Sequence, residues 1–285
     1  MTILQLQRRA SKLKSEWPGY GELFDFYLAV RDAQDRSKER DTSARTSPTN
    51  QTGHLAGIPD EGLTVPNGFP IEPTTARTLF LELCKVGKEA NAYFSIRVQE
   101  IEDSISSGRL DLDALISGGI NNSEIEHCAS ELNLDETVLG FLIFNSTQPA
   151  IEILREELLL GYQLDTWKKP ACPVCKSVPT LSLFKGETGK RHSLCSHCGC
   201  EWPVDRTRCS ICGDDDKNSV HYFHSEGQKN VRVYTCDTCK HYIKSVDVSA
   251  NSDADPILED LATLHLDVVA VEKGYVRSVP NQWCE

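Results

Sequence analysis

Four Cys-x-x-Cys pairs carry most of the chemistry that this sequence offers. They lie within 68 residues and use eight of the twelve cysteines. Thiolates are ligands for zinc and iron, and two such pairs complete one tetrahedral site. Four pairs therefore predict two metal ions per chain, iron or zinc. The candidate ligands are Cys172, Cys175, Cys195, Cys198, Cys209, Cys212, Cys236 and Cys239.

The spacing favours a pairing of neighbours along the chain. Stretches of 19 and 23 residues separate the first pair from the second and the third from the fourth. These lengths are near those of zinc sites built from two such pairs. Each stretch has room for a hairpin, and Gly186, Gly189 and Gly227 stand where turns would fall. An interleaved pairing satisfies the same valence and stays open at this level.

Three uses of these cysteines are consistent with the pattern. The first is a pair of structural metal ribbons, the second a redox-active iron site, and the third a set of disulfides. Disulfides are the least favoured, because the N-terminus lacks an apolar core followed by a cleavage site, and we expect a reducing cytoplasm. No stretch approaches the roughly 20 apolar residues of a membrane helix, so no membrane insertion is expected.

The composition argues against a nucleic-acid partner. The 285 residues carry a formal net charge of −12, with 42 acidic and 30 basic side chains. Phosphate contacts need clustered cations, and the best cluster, Lys185 to Arg191, is typical of a solvated hairpin turn. We expect a protein partner. A homodimer is compatible with the sequence, although nothing in it requires one.

The N-terminal part has the apolar spacing of helices. Helical spacing over residues 3–35 is broken at Pro18, and it returns from about 74 to 162, with Pro149 expected to begin a helix. Between them, a polar stretch at about 36–73 predicts a long loop. We therefore expect a mainly helical domain at 1–165. It contains no phosphate-binding loop, no paired metal motif and no motif typical of catalysis.

The remaining chain, 166–285, is expected to hold both metal modules and end in a helix. Short strands are predicted at 181–184, 220–224 and 231–235. Asp255 and Pro256 mark the start of a helix at about 256–273, with one apolar stripe of Ile257, Leu261, Leu264, Val268 and Val271. The fold class is then α+β: a helical N-terminal domain followed by two metal ribbons and a C-terminal helix.

The motifs resemble those of the formate dehydrogenase accessory protein family, FdhE. The resemblance is strong after Cys172 and weak before Ala150. It rests on the four pairs and on further short elements, which are Glu201-Trp202, Arg206, Tyr242-Ile243-Lys244, Glu259 to Leu264, Leu266-Asp267, Gly274-Tyr275, Arg277 and, weakly, Arg8-Arg9-Ala10 with Leu13. Cys200 and Lys176 depart from the family pattern, and neither is a proposed ligand.

The resemblance implies a cytoplasmic assembly factor rather than an enzyme. Such a factor would contain rubredoxin-like metal modules and act on the catalytic subunit of formate dehydrogenase. On residue type, Trp202 and Arg206 are candidates for partner binding, because Trp and Arg are enriched at interface hot spots. A rubredoxin-like redox protein or thiol reductase acting on that subunit is the main alternative. A nucleic-acid-binding zinc ribbon is a further alternative, which the charge disfavours.

Overall fold

The computed structural model describes residues 2–44, 56–63, 69, 71–118, 122–249 and 253–284. The chain divides into two compact units. We call the first the sheet unit; it comprises Met1–Phe24, Gln51–Thr64 and Leu158–Asn281. We call the second the helical unit; it comprises Asp25–Asn50, Val65–Glu157 and Gln282–Glu285.

The helices of the described residues fall into an N-terminal set and a short C-terminal pair. In chain order they are α1 (Ile3–Glu16), α2 (Gly21–Ala44), α3 (Pro73–Ala90), α4 (Ala92–Ser106), α5 (Leu112–Ser117), α6 (Asn122–Leu132), α7 (Glu136–Leu159), α8 (Pro256–Leu261) and α9 (Leu264–Glu272). Short 3-10 turns occur at Pro18–Tyr20 and Leu164–Thr166. The predicted helical character of the N-terminal region and the break at Pro18 are confirmed.

The strands of the described residues form one minor pair and one main sheet. They are β1 (Ala56–Gly57), β2 (Tyr162–Gln163), β3 (Pro179–Lys185), β4 (Lys190–Cys195), β5 (Glu201–Pro203), β6 (Val220–Phe223), β7 (Val231–Cys236), β8 (His241–Asp247) and β9 (Val276–Arg277). The parallel strands β1 and β2 form the pair. The main sheet has the order β5-β4-β3-β8-β7-β6, and β9 pairs with β8. The mixed helix and sheet content confirms the α+β class.

One continuous sheet carries both predicted metal modules. Strands β3 to β5 belong to the first module and β6 to β8 to the second, and each set is an antiparallel meander. Strands β3 and β8 join the two sets in parallel, with Leu183 opposite Val246. The side chains of Leu183, Val233 and Val246 pack with Leu266 and Ala270 of α9 in one buried cluster. The modules are therefore held by a shared core.

The observed units differ from the predicted division at residue 165. Helix α1 belongs to the sheet unit, where its buried Arg9 makes a bidentate ion pair with Glu259 of α8 (Nε–Oε1 2.5 Å, Nη2–Oε2 2.7 Å). The last residues belong to the helical unit, where the Trp283 ring packs edge-on against Tyr27 and Phe141. Contacts between residues far apart in sequence thus place the N-terminal helix in the sheet unit and the last residues in the helical unit.

Two local predictions for the N-terminal region need correction. Helix α2 continues to Ala44, so the loop predicted from 36 begins later; the rest of that prediction falls mostly outside the described residues, which resume at 56–63, 69 and 71–72. Pro149 lies inside α7 and does not begin a helix. A proline there leaves the carbonyl of Asn145 without its helical donor. The side chain of Gln34 replaces that donor, with Nε2 2.9 Å from the carbonyl oxygen.

The prediction of one C-terminal helix at 256–273 needs correction as well, because the structure has two helices there, α8 and α9. The side-chain ammonium of Lys244 donates to the carbonyls of Asp260 and Thr263 (2.8 and 3.3 Å) at the break between them. The break changes the helical phase, so the predicted apolar stripe does not stay on one buried face. Val268 and Val271 are 58% and 61% exposed, while Leu266 and Ala270 are buried instead.

Among the described residues, α7 is long and apolar enough to span a membrane by length and composition alone. The expectation that no segment approaches this length was therefore wrong. Inside the structure, 67% of its most apolar window is buried. Core helices of globular proteins satisfy the same test, so this observation is weak evidence for a membrane span.

A buried ion network joins β8 to the C-terminal helices. Lys244, whose side chain is 0% exposed, pairs with Asp260 (Nζ–Oδ1 2.7 Å) and Asp267 (Nζ–Oδ2 2.5 Å). Arg277 pairs with the same two carboxylates, at 2.8 Å each. Burial alone would raise the pKa of Asp260, but the charges of Lys244 and Arg277 outweigh it and lower that pKa. The network therefore keeps a buried aspartate ionised.

Substitution Asp260→Asn should reduce the free energy of unfolding by about 3–5 kcal/mol, because it leaves Lys244 buried beside a neutral amide. Since the pKa of Asp260 is lowered in the folded protein, its contribution is complete above about pH 4 and is lost as the pH falls through the folded-state value. Urea unfolding at neutral pH measures the effect. Asp113→Asn, at an exposed ion pair with Arg77, is the control and should change stability by under about 1 kcal/mol; equal losses for both variants would contradict the role of the network.

Candidate metal centres

The structure brings the eight predicted cysteines together as two groups of four. The first group holds Cys172, Cys175, Cys195 and Cys198, and the second holds Cys209, Cys212, Cys236 and Cys239. Within each group all sulfurs lie within 4.8 Å of one another. Pairs that are neighbours along the chain have thus combined, and the interleaved pairing is not adopted.

The sulfur geometry fits a tetrahedral metal ion. In the first group, Sγ–Sγ distances include 3.4 Å for Cys175–Cys195 and 3.6 Å for Cys172–Cys198. In the second group, two Sγ–Sγ contacts measure 3.8 and 3.9 Å. A tetrahedron with metal–sulfur bonds of about 2.3 Å has sulfurs about 3.8 Å apart. A disulfide needs about 2.05 Å, and none of the twelve cysteines, all of which lie in the described residues, forms a disulfide.

Each Cys-x-x-Cys knuckle ends in the same backbone conformation. The residues after the second cysteines are Lys176, Gly199, Gly213 and Lys240, and all four have φ between 58° and 78°. This left-handed turn lets Lys176, Gly213 and Lys240 donate their backbone N–H back to the first cysteine's carbonyl, at 2.9–3.1 Å. Lysine costs about 1–2 kcal/mol more than glycine in that region. Lys176 therefore keeps the knuckle geometry that its departure from the family pattern put in question.

Backbone N–H groups point at the sulfurs of the knuckles. The amides of His197 and Cys198 lie 3.4 Å from Cys195 Sγ, and the amide of Val174 lies 3.4 Å from Cys172 Sγ. The amide of Ile211 makes the same contact with Cys209 Sγ. Hydrogen bonds to a thiolate favour its charged form, and the charged form is the metal ligand.

The first group is the more deeply buried. Cys172 and Cys198 are 0% exposed and Cys195 is 3% exposed. Hydrogen bonds from Cys175, then from Cys195, Cys198 and Cys200, lower the pKa of Cys172. Hydrogen bonding to Cys172 raises the pKa of Cys198, because neighbouring sulfurs cannot all carry a charge unaided. A bound divalent cation would compensate the charge of the ionised sulfurs, so this donor set fits a metal ion.

Cys200 is a fifth thiol beside the first group. It is 1% exposed, and its carbonyl accepts a hydrogen bond from the backbone N–H of Cys195 at 2.8 Å. Its burial is what a small side chain inside the fold requires, so its departure from the family pattern has a structural place. Cys84, far from either group in sequence, is also buried, and its burial raises its thiol pKa to about 12.

The second group is partly open to solvent. Cys212 is exposed and Cys239 is half-buried, whereas Cys209 is buried, and burial raises its pKa to about 11. Asp214 links the two knuckles of this group. Its carboxylate accepts hydrogen bonds from Thr238 and from Ser219 (2.7 Å for Ser219 Oγ). These bonds lower the pKa of Asp214 to about 2, and the bond from Thr238 contributes most.

Asp214 was missed in the sequence analysis. The available signal was an aspartate directly after the glycine that ends a knuckle, since aspartate side chains often hydrogen-bond to backbone groups two residues on. The carboxylate does so here, accepting from the N–H of Asp216 at 3.0 Å.

The two residues predicted to bind a partner differ in their exposure to solvent. Trp202 lies on β5 with its side chain 0% exposed. Arg206 is exposed and donates to the carbonyls of Thr188 (2.9 Å) and Gly189 at the hairpin turn. The hydrogen-bond partners of Arg206 are therefore backbone carbonyls. The nearby carboxylate of Glu201 forms its ion pair with Lys185 instead. Partner binding by this pair stays a prediction, and Arg206 is the member with an exposed side chain.

Comparison with known families matches both metal groups to one family. The model described as the FdhE central domain matches residues 171–206, which contain the first group, and the FdhE C-terminal domain model matches residues 207–283, which contain the second. Residues 171–283 are therefore similar to the central and C-terminal domains of the FdhE family. The boundary between its two domains therefore falls between the two metal groups.

Curated relatives agree over the same part of the chain. An FdhE homologue of Aquifex aeolicus is 31% identical over 154 residues, which cover 53% of this chain and 54% of the relative. One of Pseudomonas aeruginosa is 32% identical over 143 residues, 46% of each chain. The match thus spans about half the length of these curated relatives.

One solved structure shares the fold. The crystal structure of the FdhE protein from Pseudomonas aeruginosa aligns with a TM-score of 0.63 over 99% of this chain and 94% of that chain. The sequence identity is 20%, so this likeness concerns the fold alone.

Replacing Cys209 and Cys212 together by serine should reduce bound metal from two ions per chain to one. The first group should keep its ion, because its four ligands lie on other strands and loops and stay intact. Elemental analysis and mass spectrometry under non-denaturing conditions measure the stoichiometry. Cys128→Ser, at a thiol outside both groups, is the matched control and should keep two ions; loss of both ions from the double variant would contradict the independence of the two sites.

Proposed function

We propose that this protein is a non-catalytic accessory factor in the maturation of formate dehydrogenase, and that it binds the catalytic subunit of that enzyme. The observation that carries the proposal is the pair of Cys₄ groups, one in each of the regions that match the FdhE central and C-terminal domain models. The described residues around these groups offer thiols and backbone amides. A closed Cys₄ site mainly stabilises the fold, whereas a catalytic zinc site keeps a ligand position open.

In this proposal the metal ions prepare a binding surface in advance. Each ion ties two knuckles together, and strands β3 and β8 connect the modules. Loops that are ordered before the partner arrives do not lose conformational freedom on binding. Iron or zinc would serve this purpose equally.

The exposed apolar side chains of α9 are the best candidates for the contact surface. Val268 and Val271 lie one helical turn apart and are 58% and 61% exposed. Exposed apolar residues grouped on one helix face are typical of protein interaction surfaces. With the net charge of −12, they favour a protein partner over nucleic acid. Arg206, an exposed cation of the same unit, is proposed as a second contact.

We also propose a cytoplasmic location. Two groups of four reduced cysteines suit a compartment in which thiols stay reduced and bind metal.

The double substitution of Val268 and Val271 by serine should reduce capture of a formate dehydrogenase catalytic subunit by about tenfold or more, because it removes apolar contact area. Metal content and thermal stability should be unchanged, since both side chains are exposed. Pull-down with purified partner and metal-loaded protein measures capture.

Leu4→Ser is the matched control, at a 64% exposed apolar residue of α1, and it should bind as the unaltered protein does. The variant with serine at Cys209 and Cys212 should also lose capture. Full capture by this variant would contradict a metal-supported surface, and failure of the unaltered protein to capture the subunit would contradict the proposed function itself.

A second candidate function, electron transfer or thiol reduction on the same subunit, is favoured by the exposure of Cys212. An iron site with one solvent-exposed sulfur gives electrons a short route to a docked partner. The deeper burial of the first group makes it the poorer route.

Metal analysis and voltammetry of protein purified without oxygen test this alternative. Iron at the second site with a reversible reduction wave would support it. In that case Cys212→Ser should shift the reduction potential of the second site more than Cys172→Ser does. Zinc at both sites would exclude metal redox and leave the accessory role.

A further inference from the structure

The sheet unit contains a cavity of about 570 Å³ beside the second metal group. Its size is within the range of small-molecule sites, about 300–1,000 Å³. The lining includes the cysteine and serine of the third knuckle, Cys209 and Ser210, and the hairpin residue Thr188. The cavity is thus lined by the third knuckle and by the hairpin that joins β3 and β4.

Positive charge is concentrated in this cavity. Two carboxylates line it, those of Asp165 and Asp205, against six basic side chains. The basic side chains are Lys168, Lys169, Lys190, Arg191, Arg206 and Arg208. The chain as a whole has a net charge of −12, so the lining has the opposite balance. Such a local reversal is the electrostatic signature of an anion site.

Arg191 is the central observation. Its side chain lines the cavity although the residue is only 2% exposed. Its Nη1 donates to the carbonyl of Arg208 at 3.2 Å, and its guanidinium lies 4.2 Å from the ring centroid of Tyr234. Its Nε and Nη2 have no acceptor among the described residues. A buried cation with unused donors is costly unless an anion accompanies it.

Tyr234 and Cys209 face Arg191, and neither accepts a hydrogen bond from its Nε or Nη2. Burial lowers the pKa of its guanidinium to about 10, against the opposing influence of Tyr234 and of Cys209, so it stays charged at neutral pH. The other arginines are already engaged: Arg206 binds the carbonyls of Thr188 and Gly189, and Arg208 pairs with Asp215 at 3.4 Å.

We propose that this cavity binds a small organic phosphate ester, whose phosphate group compensates the buried charge of Arg191. A phosphate carries up to two negative charges and accepts several hydrogen bonds, which matches a lining with six cations. Pro170, Pro203 and Val204 give the cavity an apolar wall for the organic part of the ligand. This site adjoins the second metal group at Cys209, and its lining does not include the exposed valines of α9.

Calorimetric titration of the metal-loaded full chain tests the proposal with inorganic phosphate, adenosine monophosphate and adenosine as probes. We expect adenosine monophosphate to bind at least as tightly as phosphate and adenosine to give no heat. Absence of binding by both phosphate compounds at millimolar concentrations would overturn the proposal. Binding of a short polyglutamate peptide without binding of either phosphate would also overturn it, and would assign the cavity to an acidic protein segment.

Variants then locate the site and separate it from the metal centre. Arg191→Gln should weaken the binding of adenosine monophosphate by about tenfold or more, with two metal ions retained. Arg232→Gln is the matched control, since Arg232 lies on β7 of the same sheet and outside the cavity lining; it should bind the probe normally. Unchanged binding by Arg191→Gln would contradict the proposal.

Lys190→Glu covers the case in which Arg191→Gln does not fold. Lys190 is exposed at the cavity wall, so its substitution should preserve folding and still weaken the probe several-fold. If Arg191→Gln loses the second metal ion while Lys190→Glu binds the probe as the unaltered protein does, Arg191 serves the metal centre and the phosphate site is refuted.

Discussion

The structure depends on holding four thiolates at each of two points in space. Sulfurs 3.4–3.9 Å apart repel one another when ionised, and only a shared cation makes that arrangement favourable. Two features bring the sulfurs there at low cost. The Cys-x-x-Cys knuckle presents two sulfurs from one tight turn, and the β hairpins between knuckles return the chain to the same point.

The remainder of the sheet unit supports this arrangement. The parallel β3–β8 pair makes one sheet of the two modules, and α9 covers one of its faces with Leu266 and Ala270. The ion network of Lys244, Asp260, Asp267 and Arg277 fixes the C-terminal helices to β8. The resemblance to FdhE at Lys244, Asp260, Asp267 and Arg277 thus has a structural reason, because these residues meet in one buried network.

The two metal centres have different surroundings, and this difference suits them to different roles. The first is enclosed and has a fifth thiol, Cys200, beside it. The second has an exposed sulfur at Cys212, an ionised Asp214 that links its knuckles, and the basic cavity around Arg191 next to Cys209. A scaffold role suits the first centre, whereas the second is the one that a partner or ligand could reach.

The sequence by itself determined the features that depend on local spacing. The Cys-x-x-Cys spacing predicted the eight clustered cysteines, and the distances between pairs favoured the observed grouping, although the structure was needed to exclude the interleaved pairing. Apolar periodicity gave the helical N-terminal region, and the short apolar runs gave β3, β6 and β7. Each of these follows from interactions among residues near one another in the chain.

Only the tertiary structure decided the features that depend on distant partners. The Gln34 side chain lets a helix continue through Pro149, and Lys244 binds the carbonyls of Asp260 and Thr263 where α8 gives way to α9. Arg9 places α1 in the sheet unit through Glu259. Arg191, which the sequence assigned to a solvated turn, became a buried cation because β7 and the loop at Arg208 cover it. Each of these features is stabilised by a residue far away in sequence, and a local sequence pattern carries no information about that residue.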